Sequence, residues 1–284
     1  MIVAEADHPS IAMRPAAELA LRVGSALVLA PLAIGVAYVG GWPFAVFWGV
    51  AAIGVLWEWT TLVAGDDRRS VSIAGGASIV LAIALAHTDH LVAAIIVMAM
   101  GALATAALVS AACRLWVASG IPYAGALGVA PVVLRSDGAY GFLAIVFVFA
   151  IVWATDVLAY FVGRALGGPK LMARVSPKKT WSGALAGAAA AVLAGVAVAR
   201  TAGLAGLVPV AVIALLLSGF AQAGDLFESA LKRRFGAKDS GHLIPGHGGL
   251  MDRLDGFVTA AVLAALIGLA RGGFESPGRG LLVW

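Results

Sequence analysis

Apolar residues run along this chain in long, nearly unbroken blocks, without the alternation of a half-buried strand or the one-sided spacing of a soluble helix. Blocks at about 20–40, 43–64, 71–88, 91–112, 116–134, 140–163, 182–200, 205–224 and 255–270 come close to or reach the roughly 20 residues that a helix needs to cross a bilayer. The pattern predicts an all-α, polytopic integral membrane helical bundle with about nine transmembrane helices. The third and fifth blocks are the weakest, being short or broken by Gly and Pro, so seven or eight crossings also fit. Residues 1–19 are mixed and carry Arg14 and Pro15, which suits a short interfacial helix or a disordered segment equally. Glu5, Asp7 and Glu18 precede the first block and many blocks follow it, so it reads as a span and not as a cleaved leader.

Composition sharpens this picture. The chain is 62% hydrophobic and 12% charged, with a mean hydropathy of +0.99, whereas about a quarter of a soluble domain is charged. Nine spans fill 284 residues and exclude a separate soluble domain of ordinary size. Any active site must therefore be assembled from helix ends and short loops. The single cysteine, Cys113, excludes an internal disulfide and a multi-cysteine metal site. The stretch Gly183 to Gly187 has the small-xxx-small form that lets helices pack closely in lipid.

Charge then orients the bundle. In a nine-span arrangement fifteen Lys and Arg residues fall on one face, and only Arg135, Arg200, Arg271 and Arg279 on the other. The excess places the N-terminus and both large basic loops in the cytoplasm and the C-terminus outside. The expected organisation is a cytoplasmic segment at 1–19, N-terminal transmembrane helices at 20–134, and a catalytic transmembrane region at 135–284 with cytoplasmic loops 164–181 and 225–255.

The segment from Gly224 to Gly256 is the most polar of the chain, with four aspartates, five interior glycines and a run of basic residues between two apolar blocks. On a helix continuing through Lys232, Asp225 shares a face with Glu228, Ser229 and Lys232. Asp252 and Asp255 lie one turn apart at the start of the ninth block. A carboxylate at the bilayer centre costs about 2.5–3.5 kcal/mol, so acids here are expected to face a partner or a water-filled cavity. Converging carboxylates are hard oxygen ligands suited to Mg²⁺ and to substrate phosphates. Pro245 to Gly249 supplies backbone able to approach a ligand and leads into a helix N-terminus, where amides favour phosphate. Lys232, Arg233, Lys238 and Arg253 add cationic charge for a polyphosphate or a lipid headgroup. In the other basic loop, Ser176 to Thr180 reads as an anion-binding turn before a helix, with Thr180 or Ser182 as the cap. Asp156 lies about two turns inside the sixth block. Glu58, between Trp57 and Trp59, reads as a structural pairing partner rather than a catalytic acid. His242 and His247 are five residues apart, a poor spacing for one helical face, so zinc is not expected. His87 and His90 flank an external turn.

The run Ser229, Leu231, Lys232-Arg233, Lys238-Asp239, Gly241, Ile244-Pro245, His247-Gly248-Gly249-Leu250, Asp252-Arg253-Leu254-Asp255 resembles the signature of the phosphatidate cytidylyltransferases, without a mismatch. Asp156, Ala159-Tyr160, Gly163 and Ser176 to Gly183 resemble a second loop of that family, departing from it at Val157-Leu158. The resemblance covers about residues 150–260. It implies transfer of a cytidylyl group from CTP to phosphatidic acid, giving CDP-diacylglycerol and pyrophosphate, by a Mg²⁺-dependent homodimer in the lipid bilayer of the bacterial cytoplasmic (inner) membrane, with no nucleic acid partner. Carried over to this chain, it implies catalytic roles for Asp225, Lys232, Asp252 and Asp255, with Asp225 and Asp252 as metal ligands and Asp255 beside them. It implies substrate-binding roles for Lys178, Lys179, Ser229, Arg233, Lys238, Asp239, His247, Gly248, Gly249 and Arg253. Two other readings stand beside it: group transfer to another lipid phosphate, and secondary transport of a phosphorylated anion. The clustering of polar residues at one membrane edge, instead of the midplane, counts against transport.

Overall fold

The structure is a computed structural model; it describes the backbone of residues 15–241 and 248–284, and side chains from Leu27 onward within them apart from Asp66. The expectations for residues 1–14 and for His242 to His247 lie outside the described residues.

Nearly all of the described chain is helical. The long helices are α1 (Pro15–Val39), α2 (Gly41–Val63), α3 (Arg68–His87), α4 (Leu91–Ala107), α5 (Arg114–Arg135), α6 (Gly141–Leu166), α7 (Trp181–Thr201), α8 (Leu207–Arg234) and α9 (Met251–Gly272), followed by the short α10 (Pro277–Leu282). Seven of them, α2, α3 and α5 to α9, are long and apolar enough to cross a membrane. The chain is thus a polytopic membrane protein. Two further apolar stretches, Leu27–Val39 of α1 and the whole of α4, are shorter.

The third and fifth blocks, expected to be weakest, form full-length helices, and the fourth is the short one. Near the end of α4 the Thr105 hydroxyl donates back to the Gly101 and Ala102 carbonyls, and the chain turns before Cys113. In α5 the glycines that read as interruptions are contact positions. A Cβ on Gly120 would collide with the indole of Trp59, and one on Gly128 with Ile83. Glycine here gives helix-to-helix proximity, which in lipid replaces the hydrophobic drive available in water. As a result α5 is the most enclosed of the spanning helices.

The interior is aromatic where α2, α6 and α9 meet. Trp48 stacks on Phe257 with centroids 4.7 Å apart, and Phe149 packs on the same ring at 5.2 Å. α6 and α7 touch through glycine: a Cβ on Gly183 would lie 2.6 Å from the Ala159 carbonyl, and one on Gly187 2.7 Å from that of Thr155. Beside this contact the Thr155 hydroxyl donates to Ser218 Oγ at 2.8 Å, and the Gln222 amide reaches Ser218 and the Ala184 carbonyl at 3.3 Å, so these polar side chains satisfy one another between α6, α7 and α8.

Two features refine the all-α expectation. The 164–181 loop contains an antiparallel hairpin, β1 (Lys170–Met172) and β2 (Ser176–Thr180). The 225–255 segment is helix at both its ends, since α8 continues to Arg234 and α9 begins at Met251.

Candidate active site at the α8–α9 crossing

Two glycines bring the chemistry together. A Cβ on Gly224 would stand 2.5 Å from the Asp255 carbonyl, and one on Gly256 3.1 Å from that of Ala221. The backbones of α8 and α9 therefore approach closely just where each carries an aspartate, and Thr259 fastens the crossing by donating to the Phe220 carbonyl at 2.7 Å. Glu228 follows Asp225 by three residues on the same helical face. Asp225, Glu228 and Asp255 each present one carboxylate oxygen, all within 4.8 Å of one another. Glu228 is 2% exposed, and its Oε1 has no hydrogen-bond partner among the described residues.

One turn further along α8, Lys232 is shared by two acids. Its Nζ lies 2.8 Å from Glu228 Oε2 and also pairs with Asp252 Oδ1. The second oxygen of Asp252 accepts the backbone amides of Gly249 at 3.0 Å and Ser240 at 3.2 Å. Asp252 is joined to Glu228 through Lys232 and is not one of the three residues whose oxygens lie within 4.8 Å of one another; Glu228, which the sequence reading does not name as a ligand, is. The i, i+3 relation of Asp225 and Glu228 carried that signal; the approach of α9 did not show in the sequence.

From the other side, β2 brings Lys179 into an ion pair with Asp225. The hairpin is seated by Thr180, whose hydroxyl caps α7 by accepting the Gly183 amide at 3.2 Å, as expected of a cap. Ser182 donates to the Gly167 carbonyl and shares a hydrogen bond with Thr180. Asp156 is exposed on α6, in electrostatic range of Asp225, Lys179 and Arg253. Lys178, Arg233, Lys238, Asp239 and Arg253 are exposed around this end, and Ser229 is half-buried on α8. Gly248 has φ +83°, and its neighbour Gly249 is buried against Ser240 and Glu58. His247 lies outside the described residues.

Two further residues join the site: Glu58, which the sequence reading takes as a structural acid, and Tyr123, which it does not single out. Glu58 on α2 is buried and accepts from both Leu250 and Met251 at the start of α9. Tyr123 on α5 packs its ring 5.0 Å from Trp59 and 5.9 Å from Phe227. Its hydroxyl is buried without a hydrogen-bond partner among the described residues, in range of the charges of Asp255, Glu228 and Asp225.

The arrangement offers three converging acid oxygens, one of them orphaned, flanked by two lysines and rimmed by exposed cations. Such a donor set suits a hard divalent cation and, around it, phosphate groups. Residues 20–270 match the cytidylyltransferase family. The chain is 44% identical over 261 residues to a phosphatidate cytidylyltransferase of Brucella abortus biovar 1 (strain 9-941), covering 88% of this chain and 93% of that protein. It is 42% identical over 130 residues to a phosphatidate cytidylyltransferase of Bacillus subtilis (strain 168), covering 44% and 47%, and 42% identical over 130 residues to one of Rickettsia felis, covering 40% and 54%.

Proposed function

Because the chain belongs to the cytidylyltransferase family of nucleotidyltransferases, we propose that it transfers the cytidylyl group of CTP to phosphatidic acid in phospholipid biosynthesis. The products are CDP-diacylglycerol and pyrophosphate. The observation that carries this reading is the group of Asp225, Glu228 and Asp255 within 4.8 Å of one another, beside Lys232 and Lys179.

In the reaction a phosphate oxygen of phosphatidic acid forms a bond to the α-phosphorus of CTP as the bond to the bridging oxygen of the β-phosphate breaks. The attacking oxygen is already an anion, so the site needs little general base. Its task is to position two anions and to balance the charge that moves onto pyrophosphate. Asp225, Glu228 and Asp255 would hold a divalent cation, which we take to be Mg²⁺. The orphaned Glu228 oxygen supports that fit. When bound, the ion neutralises phosphate oxygens and the leaving pyrophosphate. Lys232, anchored by Asp252, and Lys179, on the hairpin, face this group from two sides and supply fixed positive charge. Lys178, Arg233, Lys238 and Arg253 draw phosphates toward it.

The same reading has nine crossings, a cytoplasmic N-terminus and an active site at the cytoplasmic edge of a bacterial inner membrane, in a homodimer. Between residues 27 and 284, every Lys and Arg except Arg135, Arg200, Arg271 and Arg279 belongs to the end of the bundle that carries Asp225 and Asp255, which supports that orientation. The test is pyrophosphate release by purified protein in detergent given CTP, Mg²⁺ and phosphatidic acid, with each omitted in turn. Release that requires all three, with a CDP-lipid product, is expected. Release that persists without phosphatidic acid, or no release from folded protein, would overturn the assignment.

A further inference from the structure

α9 begins without a cap of its own. Leu250 leads into its first residue, Met251, and among the described residues no side chain local to that end accepts their amides. Exposed amides at a helix start need an acceptor, and the helix dipole favours a negative one. The acceptor comes from α2, 192 residues away in sequence: Glu58 Oε1 takes the Leu250 amide at 2.8 Å and Oε2 takes that of Met251 at 2.7 Å. Oε2 also accepts the hydroxyl of Ser240 at 3.1 Å. The surroundings are built to this carboxylate. A Cβ on Gly241 or on Gly249 would come within 2.7 Å of its oxygens, so both positions admit only glycine without displacement.

Asp252 lies in the first turn of the same helix and gathers the amides of Ser240 and Gly249. Two carboxylates, one from α2 and one from α9, therefore hold the same two segments: Ser240, by its hydroxyl and its amide respectively, and Gly249 to Met251, by their amides. Lys232 is fixed in turn by Asp252. Whatever sets the start of α9 also sets Asp252 and, through it, a cation of the site.

We infer that Glu58 is a positioning residue: by capping α9 and holding Ser240, it fixes the Asp252–Lys232 pair that receives the phosphates of the nucleotide. The inference rests on the proposed cytidylyl transfer for its substrate and on hydrogen bonding alone for its structural part. Glu58 touches no reacting atom. It acts on the nucleotide side because the elements it holds carry Asp252, while the lipid-facing surface of α2 is left unchanged by a substitution at this buried position.

The test compares the full-length protein with Glu58→Gln, which keeps the volume but replaces one accepting oxygen with a donor. Ser240→Ala serves as a second variant that removes one bond and creates no crowding. Loss of a supporting hydrogen-bond partner behind a charged site commonly costs about 10–100-fold in affinity or activity. The expected result for Glu58→Gln is a KM for CTP raised about tenfold or more, a KM for phosphatidic acid within about twofold of the parent, and faster hydrogen exchange confined to Gly249 to Met251. Ser240→Ala should move the same quantities in the same direction by less. A loss of activity that only follows the amount of folded protein, or equal rises in both KM values, would overturn the positioning role. So would unchanged exchange at Gly249 to Met251. The exchange measurement is independent of activity: if the parent releases no pyrophosphate, the assignment of substrate fails while the capping role is still decided.

Discussion

The carboxylate group at the α8–α9 crossing and the far end of the helix bundle handle charge in opposite ways. At the far end, charge is taken up by backbone. Asp137 accepts the amides of Ala139 and Tyr140 with one oxygen and that of Arg279 with the other. Arg135 donates to the carbonyls of Ala37 and Tyr38. Arg271 donates to those of Gly280 and Val283 and lies 3.3 Å from the centre of the Trp284 ring. Around the carboxylate group at the α8–α9 crossing, charge faces charge: Lys179 meets Asp225, Lys232 meets Glu228 and Asp252, and one oxygen of Glu228 meets nothing among the described residues. Carboxylates crowded together raise the energy of the protein alone and are rewarded by a bound cation, whereas an aspartate capping a helix is complete as it stands. The first pattern marks chemistry, the second fastening.

Substitutions at the two ends should therefore separate activity from stability. Asp225→Asn or Asp255→Asn should lower turnover by at least about a hundredfold, the scale of losing a fixed electrostatic group at a reacting phosphate. The protein should remain monodisperse in detergent, and retained turnover would remove the metal role. Asp137→Ala should do the reverse. It strands three amides and should lower stability by about 1–3 kcal/mol, seen as a lower unfolding midpoint, with turnover per folded molecule unchanged. Lys178→Gln should have the smallest effect. The side chain is exposed on β2, and screening limits an exposed charge to about 1 kcal/mol, so a rise in the KM for CTP of roughly fivefold or less is expected. A larger change would move Lys178 from the rim into the site.

Much of this was legible in the sequence because membrane helices are specified locally. Runs of apolar residues marked the helices, and the uneven Lys and Arg marked one end of the bundle. Asp225, Lys232, Asp252 and Asp255 stood out because ionised groups beside a bilayer need a reason. Three things escaped. Gly120 and Gly128 read as breaks in α5, because sequence does not show that Trp59 and Ile83 fill the space a Cβ would take. The membership of the carboxylate group depended on how α8 crosses α9, a tertiary fact, and so Glu228 was not named beside Asp225 and Asp255. Glu58 read as a structural acid, and its partners, Ser240, Leu250 and Met251, could not be found by spacing across nearly 200 residues.

The close contact of α6 and α7 gives the hairpin a mechanical meaning. Lys179 reaches Asp225 from a strand that runs straight into α7 at Trp181. Gly183, two residues on, rests against the Ala159 carbonyl with no room for a methyl group. The lysine is therefore mounted on a short lever whose pivot is a glycine inside the bilayer-spanning bundle. A bulkier residue at the pivot would swing the charge away from the carboxylates without altering any group that touches a substrate.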